Sequence, residues 1–409
     1  MKRLLAVCAA LALAATGCGG GGPTAPRGDV LVVVSAPLTT SPWVADTVVR
    51  GARLAVEELN AAGGVKMRGK LQKLSLIILD HANNVQRAQA NARSAVEQHA
   101  AALVTDGVGA VAVAGVAGPA HLPVFVTYEG GQGLVDEDAR PTLFRMAPAN
   151  KPMTQRLTDY IAGRKPRIAL LTDDSGYGRD GRTDLLAAIR RDSLTLAKAV
   201  EVPTGANVAP QVLAAKQSGA DTVLVWARAP VVASVISEMR SRGWNAAIYT
   251  GPTAEDPYVR QQLAQHPQWL DGTGFVSFRM TSEVGPDPFT KFRAAYDKKF
   301  GPDKVGVKAG GTDVVQPPDW AMYAYDSVQL LARALTLAKV TVGLEASQAL
   351  IDALNTTSVT GANGDQRSFL PRNHEGVSSD DMYIARFKDM RFSPVHDDFL
   401  SASLPAVSQ

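Results

Sequence analysis

The chain has 409 residues, a formal charge of +3 and two cysteines, Cys8 and Cys18. That length suffices for two domains with a core each. Lys2 and Arg3 lie in a leader, so the rest is nearly balanced, which argues against nucleic acid or an acidic surface as partner. One cysteine beyond the leader excludes an internal disulfide and a cysteine metal site.

Met1-Lys2-Arg3 precedes an apolar stretch from Leu4 to Ala15, then Thr16-Gly17-Cys18. A basic start, a short apolar core and small residues before a cut site read as a bacterial export signal. The apolar run is shorter than the roughly 20 residues that span a bilayer, and no later run reaches that length. Ala15-Thr16-Gly17-Cys18 resembles the lipobox of bacterial lipoproteins, with Ala15 where Leu is usual. That resemblance implies acylation of Cys18, with Gly19 to Pro23 as a flexible tether.

From Asp29 the chain alternates β-branched runs with amphipathic ones. Val30 to Val34 is a buried strand by its continuous apolar character. Val48 to Asn60 has helical spacing and ends at Ala61-Ala62-Gly63-Gly64. Leu74 to Leu79 is the next strand and Val85 to His99 the next helix; Ala102 to Val104 and Pro123 to Val126 follow as strands around a short helical link. This βαβαβ order requires a parallel sheet with right-handed crossovers. The rhythm then repeats, with strands at Arg167–Leu171, Ala199–Val202, Asp221–Trp226 and Ala246–Tyr249 and helices at Asp184–Leu196 and Val232–Arg242. Two doubly wound α/β halves predict two lobes with a cleft between them. Ligands of open α/β sheets sit outside the carboxyl ends of the strands, so the loops after Val34, Leu79, Val126, Leu171, Trp226 and Tyr249 are the places to search.

Several segments resemble a known family in order. These are Pro37-Leu38-Thr39, the run from Gly51 to Val65, Asp173-Asp174-Ser175-Gly176-Tyr177-Gly178, Ala324-Tyr325-Asp326-Ser327-Val328, and the tail from Tyr383 to Phe392. Together they are similar to type I periplasmic binding proteins, in the branch of Leu/Ile/Val-binding-protein-like receptors of ABC importers. The resemblance covers about residues 29 to 398. It implies two parallel-sheet lobes joined by three crossovers, a Venus-flytrap that closes on its ligand. The crossovers would fall near Pro148, Met280 and Gly361. The implied division is 1–17 signal peptide, 18–28 lipidated tether, 29–148 with 281–361 as the first lobe, and 149–280 with 362–409 as the second. The implied partners are a small solute, an ABC permease and ATPase complex, and a membrane through Cys18, with the chain itself monomeric, periplasmic or cell-surface, and free of cofactor.

Candidate ligand contacts follow from those loops. Trp43 stands past the first strand, where an aromatic ring can wall a pocket. Asp106-Gly107-Val108-Gly109-Ala110 opens a helix and would leave backbone N–H groups for an anion. Relatives that bind amino acids place a Ser hydroxyl here; this chain has Gly109 or Ala110. Tyr128 and Glu129 follow the strand ending at Val126, and Glu129 is suited to accept from an amine or hydroxyl. By resemblance, Tyr177 packs on the ligand from the second lobe, and the family also places an aromatic at Trp226. Arg228 in a cleft would grip a carboxylate bidentately. Where amino-acid receptors carry an acid for the ammonium group, this chain reads Gly251-Pro252-Thr253-Ala254-Glu255, with Thr253 as the candidate contact. Trp320 and Met322 are expected in the core. The set suits an apolar or aromatic carboxylate, or an amino acid.

Enzyme readings fare worse. Gly176-Tyr177-Gly178-Arg179-Asp180-Gly181 spells GxGxxG, yet Asp173, Asp174 and Ser175 separate it from the strand and would repel a pyrophosphate. The six histidines show no zinc spacing; Asn373-His374-Glu375-Gly376 is their only local cluster. No GxSxG elbow occurs. The alternative is a sensory receptor of the same fold that feeds a regulator.

Overall fold

The structure, a computed structural model, describes residues 26, 28–67, 69–282, 285–338, 346–378 and 382–395. The leader, Cys18 and the glycine tether lie outside the described residues. Val30–Ala36 is buried along its whole length and runs parallel to Leu74–Asp80 on one side and to Ala102–Thr105 on the other. A strand covered on both faces needs apolar side chains on both, which is why Val30 to Val34 is continuous rather than alternating. Val124–Val126 and Leu143–Arg145 complete a parallel five-stranded sheet. Leu143–Arg145 has too few residues to show a period of its own, so sequence pattern misses it.

The second sheet has seven strands. Thr195–Val202, Arg167–Asp173, Thr222–Trp226, Ala247–Thr250 and Gly274–Phe278 are parallel neighbours in that order. Met382–Lys388 pairs antiparallel with Gly274–Phe278, and Arg391–Pro394 pairs antiparallel with Met382–Lys388. Both sheets have the doubly wound, mixed α/β architecture expected. Boundaries moved where glycine or proline stands inside an element. The helix expected from Asp184 runs instead over Gly176–Arg191, with the Ser175 hydroxyl accepting from the Gly178 N–H at 3.0 Å as its cap. The helix expected from Val48 starts at Pro42, whose fixed φ suits a first turn.

One segment departs from the expected division. Residues 303–316 form an antiparallel hairpin, Asp303–Ala309 with Thr312–Gln316. Val305, Val307, Ala309 and Val314 pack in the apolar core of the second lobe, beside Val259 and Leu263, and not with the first. Only its base is tied to the first lobe, through Asp303, which accepts from Arg50 and, at 2.9 Å, from the Tyr296 hydroxyl.

Helices Pro42–Ala61 and Ala321–Leu337 cross closely on the first lobe because Gly51 has no side chain. A Cβ there would stand 2.1 Å from the Ala321 carbonyl oxygen, so backbone would have to move. Gly51→Ala is therefore expected to lose about 1–3 kcal/mol in urea unfolding despite its better helix propensity. An unchanged midpoint would contradict this packing.

Candidate functional site

Tyr177 and Trp226 pack together at strand ends of the seven-stranded sheet. Trp226 is the last residue of Thr222–Trp226, and Tyr177 lies in the first turn of Gly176–Arg191. Their rings stack with centroids 5.4 Å apart and planes 24° apart. Gly181 makes this arrangement possible, since a Cβ there would stand 1.9 Å from the Trp226 ring. Gly178 likewise has no room, with the Asp173 carboxylate and carbonyl 2.1 and 2.2 Å from where its Cβ would be. The GxGxxG glycines thus serve helix-on-strand packing, with no phosphate seat left beside Asp173. The Tyr177 hydroxyl sits against Gly251 and is buried without a hydrogen bond of acceptable geometry. Thr253, whose hydroxyl donates to the Ala227 carbonyl at 2.7 Å, is close enough to act on it.

Arg228 is placed differently from the expectation of a clasp on a ligand carboxylate. It caps the helix Ala229–Ser241, and its backbone N–H donates to Asp173 at 2.8 Å. The side chain is 56% exposed, with Nε 3.9 Å from the buried Asp173 carboxylate. Its position just before the helix turns the guanidinium outward.

On the first lobe, Trp43 meets Tyr128 edge-on at 6.1 Å, and Tyr128 packs on Trp320 at 4.8 Å. Tyr128 and Glu129 are held by backbone: both N–H groups donate to the Asp106 carbonyl, at 3.2 and 2.8 Å. Gly107 permits this approach with φ +120°, and a Cβ there would strike Glu129 at 2.3 Å. The helix Ala110–Ala117 begins after Gly109, and Ala110 is buried. Three N–H groups of this loop are engaged within it. Those of Gly107, Val108 and Ala110 donate to the Thr105 hydroxyl, the Asp106 carboxylate and the Gly107 carbonyl, at 3.3, 3.1 and 2.9 Å. Asp106 also pairs at 3.0 Å with buried His81 Nε2, whose Nδ1 accepts from the Asn83 N–H at 3.1 Å. The proton therefore sits on Nε2. His81 was not singled out by pattern; its place directly after a strand was the available signal.

The strand ends of both lobes converge. Burial above all pushes both tyrosine hydroxyls well up; Tyr177, Glu255 and Glu129 add to this at Tyr128, and Glu129 and Glu255 add to it at Tyr177. Glu129 is itself pushed up by burial, then by Asp106 and Asp180, against a partial offset from the Gly131 N–H and Arg145. Gly131 marks the meeting point: a Cβ there would stand 2.7 Å from Asp180 Oδ2 and 3.2 Å from Glu129 Oε1. A solvent-open depression of about 430 Å³ lies elsewhere, lined by Glu58, Phe292, Tyr325 and Gly361, and there the Tyr325 hydroxyl already donates to Glu58 at 2.7 Å. The strand ends bring Tyr128, Glu129, Tyr177 and Asp180 close together. Among the described residues no His/Cys/Asp/Glu group could hold a metal ion, and no helix is long and apolar enough to cross a membrane.

Residues 31–391 match the family model described as periplasmic binding protein. The chain belongs to the periplasmic binding protein family. An amino acid binding protein of Pseudomonas aeruginosa is 26% identical over 321 residues, 75% of this chain and 78% of that one. Among solved structures, the periplasmic binding protein type 1 of Bordetella pertussis shares 19% identity with a TM-score of 0.77 over 90% of this chain and all of that one. The branched-chain amino acid transporter substrate binding protein of Streptococcus pneumoniae, solved with isoleucine, shares 18% identity with a TM-score of 0.74 over 90% and 99%. The fold is that of a type I periplasmic binding protein, and the family is one of binding proteins rather than enzymes.

In this periplasmic binding protein the residue that sequence reasoning left displaced, Glu255, lies behind the site. It is fully buried and accepts from the Ser277 hydroxyl and, at 3.3 Å, from Trp320 Nε1. Ser277 shares a 2.9 Å hydrogen bond with Thr281, which donates to Asp319. Trp320, expected in the core, is thus also the back wall of Tyr128. Burial first, and then Asp319, push the Glu255 carboxyl well up; burial raises Asp319 to about 6. Carboxyls raised by folding stabilise the chain at low pH and lose that contribution as pH rises through the folded value. Urea stability is expected to fall by about 2 kcal/mol between the unfolded and folded values, which are 3.8 and about 6 for Asp319. Asp319→Asn should flatten that slope, as read from midpoints at pH 4.5 and 7.

Proposed function

We propose that this protein is the exported, lipid-anchored receptor of an ABC importer, holding a small organic solute between its lobes for delivery to the permease. The observation that carries this reading is the convergence of Tyr128 and Tyr177, from opposite strand ends, on the same two acids, Glu129 and Glu255. Aromatic faces on both sides suit a solute with a flat or apolar body, removed from water on both faces at once. Amino acids are within that class, and the Pseudomonas relative's description supports it. Trp43, Tyr128, Glu129, Tyr177, Trp226 and Thr253 are the contacts assigned to the solute; Gly109 and Ala110 shape the loop that backs them. Binding that favours the closed form over the open one gives the transporter a signal to read.

Mass spectrometry of small molecules carried through purification would identify the solute. Against that solute, Tyr177→Ala and Tyr128→Ala are each expected to weaken binding by roughly tenfold, from the loss of about 1–2 kcal/mol of ring contact. Calorimetry showing unchanged affinity in both would sink the assignment. The anchor has its own test: Cys18→Ser should release the protein from the membrane fraction, and retention there would exclude lipidation at that residue.

A further inference from the structure

Glu255 and Asp319 are both fully buried, and neither makes an ion pair among the described residues. They stand at the two ends of a chain of oxygens. Glu255 Oε1 meets Ser277 Oγ, Asp319 Oδ2 meets Thr281 Oγ1, and the two hydroxyls meet each other at 2.9 Å. The remaining carboxyl oxygens already accept: Trp320 Nε1 donates to Glu255 Oε2 at 3.3 Å, and the Trp320 backbone N–H donates to Asp319 Oδ1 at 3.1 Å. Counting hydrogens then decides the charge. Each of the three links needs one hydrogen, and the Ser277 and Thr281 hydroxyls supply one each. The missing hydrogen has to come from a carboxyl at one end, on Glu255 Oε1 or on Asp319 Oδ2. Burial, which pushes both carboxyls up, favours keeping it there.

The chain of oxygens lies where the polypeptide passes from one sheet to the other. Ser277 belongs to Gly274–Phe278 of the seven-stranded sheet, and Thr281 to the turn Arg279–Ser282 that follows it. Asp319 stands just before Ala321–Leu337, the helix that crosses Pro42–Ala61 on the first lobe. Glu255 comes from the loop after Ala247–Thr250. The two passages, 279–282 and 317–320, are therefore fastened to each other and to the second lobe. Trp320, which donates to both carboxyls, is also the ring behind Tyr128, at 4.8 Å. The other ionisable groups that face the pair are Asp256 and Arg260 from the neighbouring helix and its cap, and Tyr128 and Tyr177 from the strand ends. Arg260 donates to the Glu255 carbonyl at 3.1 Å and lies 4.4 Å over the Phe392 ring. It brings a single positive charge against the three carboxyls of Glu255, Asp256 and Asp319.

We infer that Glu255 and Asp319 form a pH-sensitive latch, in which one shared proton completes the hydrogen-bond chain that fastens the interlobe passages at Thr281 and Asp319. When the proton leaves, one link has no hydrogen and two carboxylates face each other out of water. Asp319 is then driven from Glu255, and Trp320 is freed from behind Tyr128. The latch holds in acid and releases as pH rises through the folded value of the pair. Its consequence for lobe closure rests on the receptor reading proposed above; its chemistry does not.

The test is hydrogen exchange by mass spectrometry on the full chain without added solute, with rates corrected for their intrinsic dependence on pH. Peptides covering 277–282 and 316–320 are expected to lose protection by about tenfold or more between about pH 5 and about pH 8, well beyond any change in Val30–Ala36. Asp319→Asn and Glu255→Gln each place a permanent N–H donor at one end of the chain, so both peptides should stay protected at either pH. Loss of packing would not produce that result. Ser277→Ala removes a link and should leave both peptides weakly protected throughout, while circular dichroism melting shows the variants folded. Equal protection of the wild-type peptides at both pH values would overturn the latch. So would a pH dependence that survives in both amide variants, or a loss shared equally by Val30–Ala36, which would be general destabilisation. None of these outcomes touches the receptor reading, which stands or falls on solute binding.

Discussion

Arg145 is the group on which the site's geometry depends. It ends the last strand of the first sheet, and its planar fork grips Glu375 while donating to the Gly131 carbonyl at 2.7 Å. Backbone reinforces the pairing, with the Arg145 N–H donating to His374 and the Gly376 N–H donating to Arg145, both at 2.8 Å. Two chain segments that lie far apart in sequence are thereby fixed side by side, and the loop carrying Glu129 is fixed to both. Only arginine can serve three acceptors from one plane. Its burial is tolerable because Glu375 neutralises it; removing one partner would leave an uncompensated charge.

That coupling also shows where sequence reading stops. The strands of both sheets were legible because a doubly covered strand must be continuously apolar, as in Val30 to Val34 and Val223 to Val225. Tyr128 was singled out because strand ends are where such sheets present side chains, and Tyr177 because it matches the family's pattern. Asn373 to Gly376 read only as a turn with a histidine in it. In the fold, His374 stacks on Phe144 at 4.1 Å and Glu375 meets Arg145. Nothing local announces a partner some 230 residues away. Arg228 is the opposite case. Its residue type and its place after a strand were right for a clasp, but a residue that caps a helix has its side chain aimed by the turn, and here the turn aims it at water.

The glycines between 176 and 181 make the same point about motifs. A spacing that elsewhere admits a phosphate here admits Asp173 and the Trp226 ring, because the strand ends in an acid and an indole rather than in open space. The requirement for absent side chains is common to both uses, and the spacing alone does not distinguish them. What distinguishes them is the neighbour: an acidic strand end disfavours a pyrophosphate whatever the loop's shape.

The balance of charge then bears on how the lobes close. In the structure Glu129 and Asp180 crowd a single point beside Gly131, and burial pushes both carboxyls up. Two carboxylates brought together out of water repel, so they disfavour this arrangement when nothing lies between them. A ligand indifferent to closure cannot drive it however tightly it binds, so a solute that closes such a fold must meet groups from both sides at once.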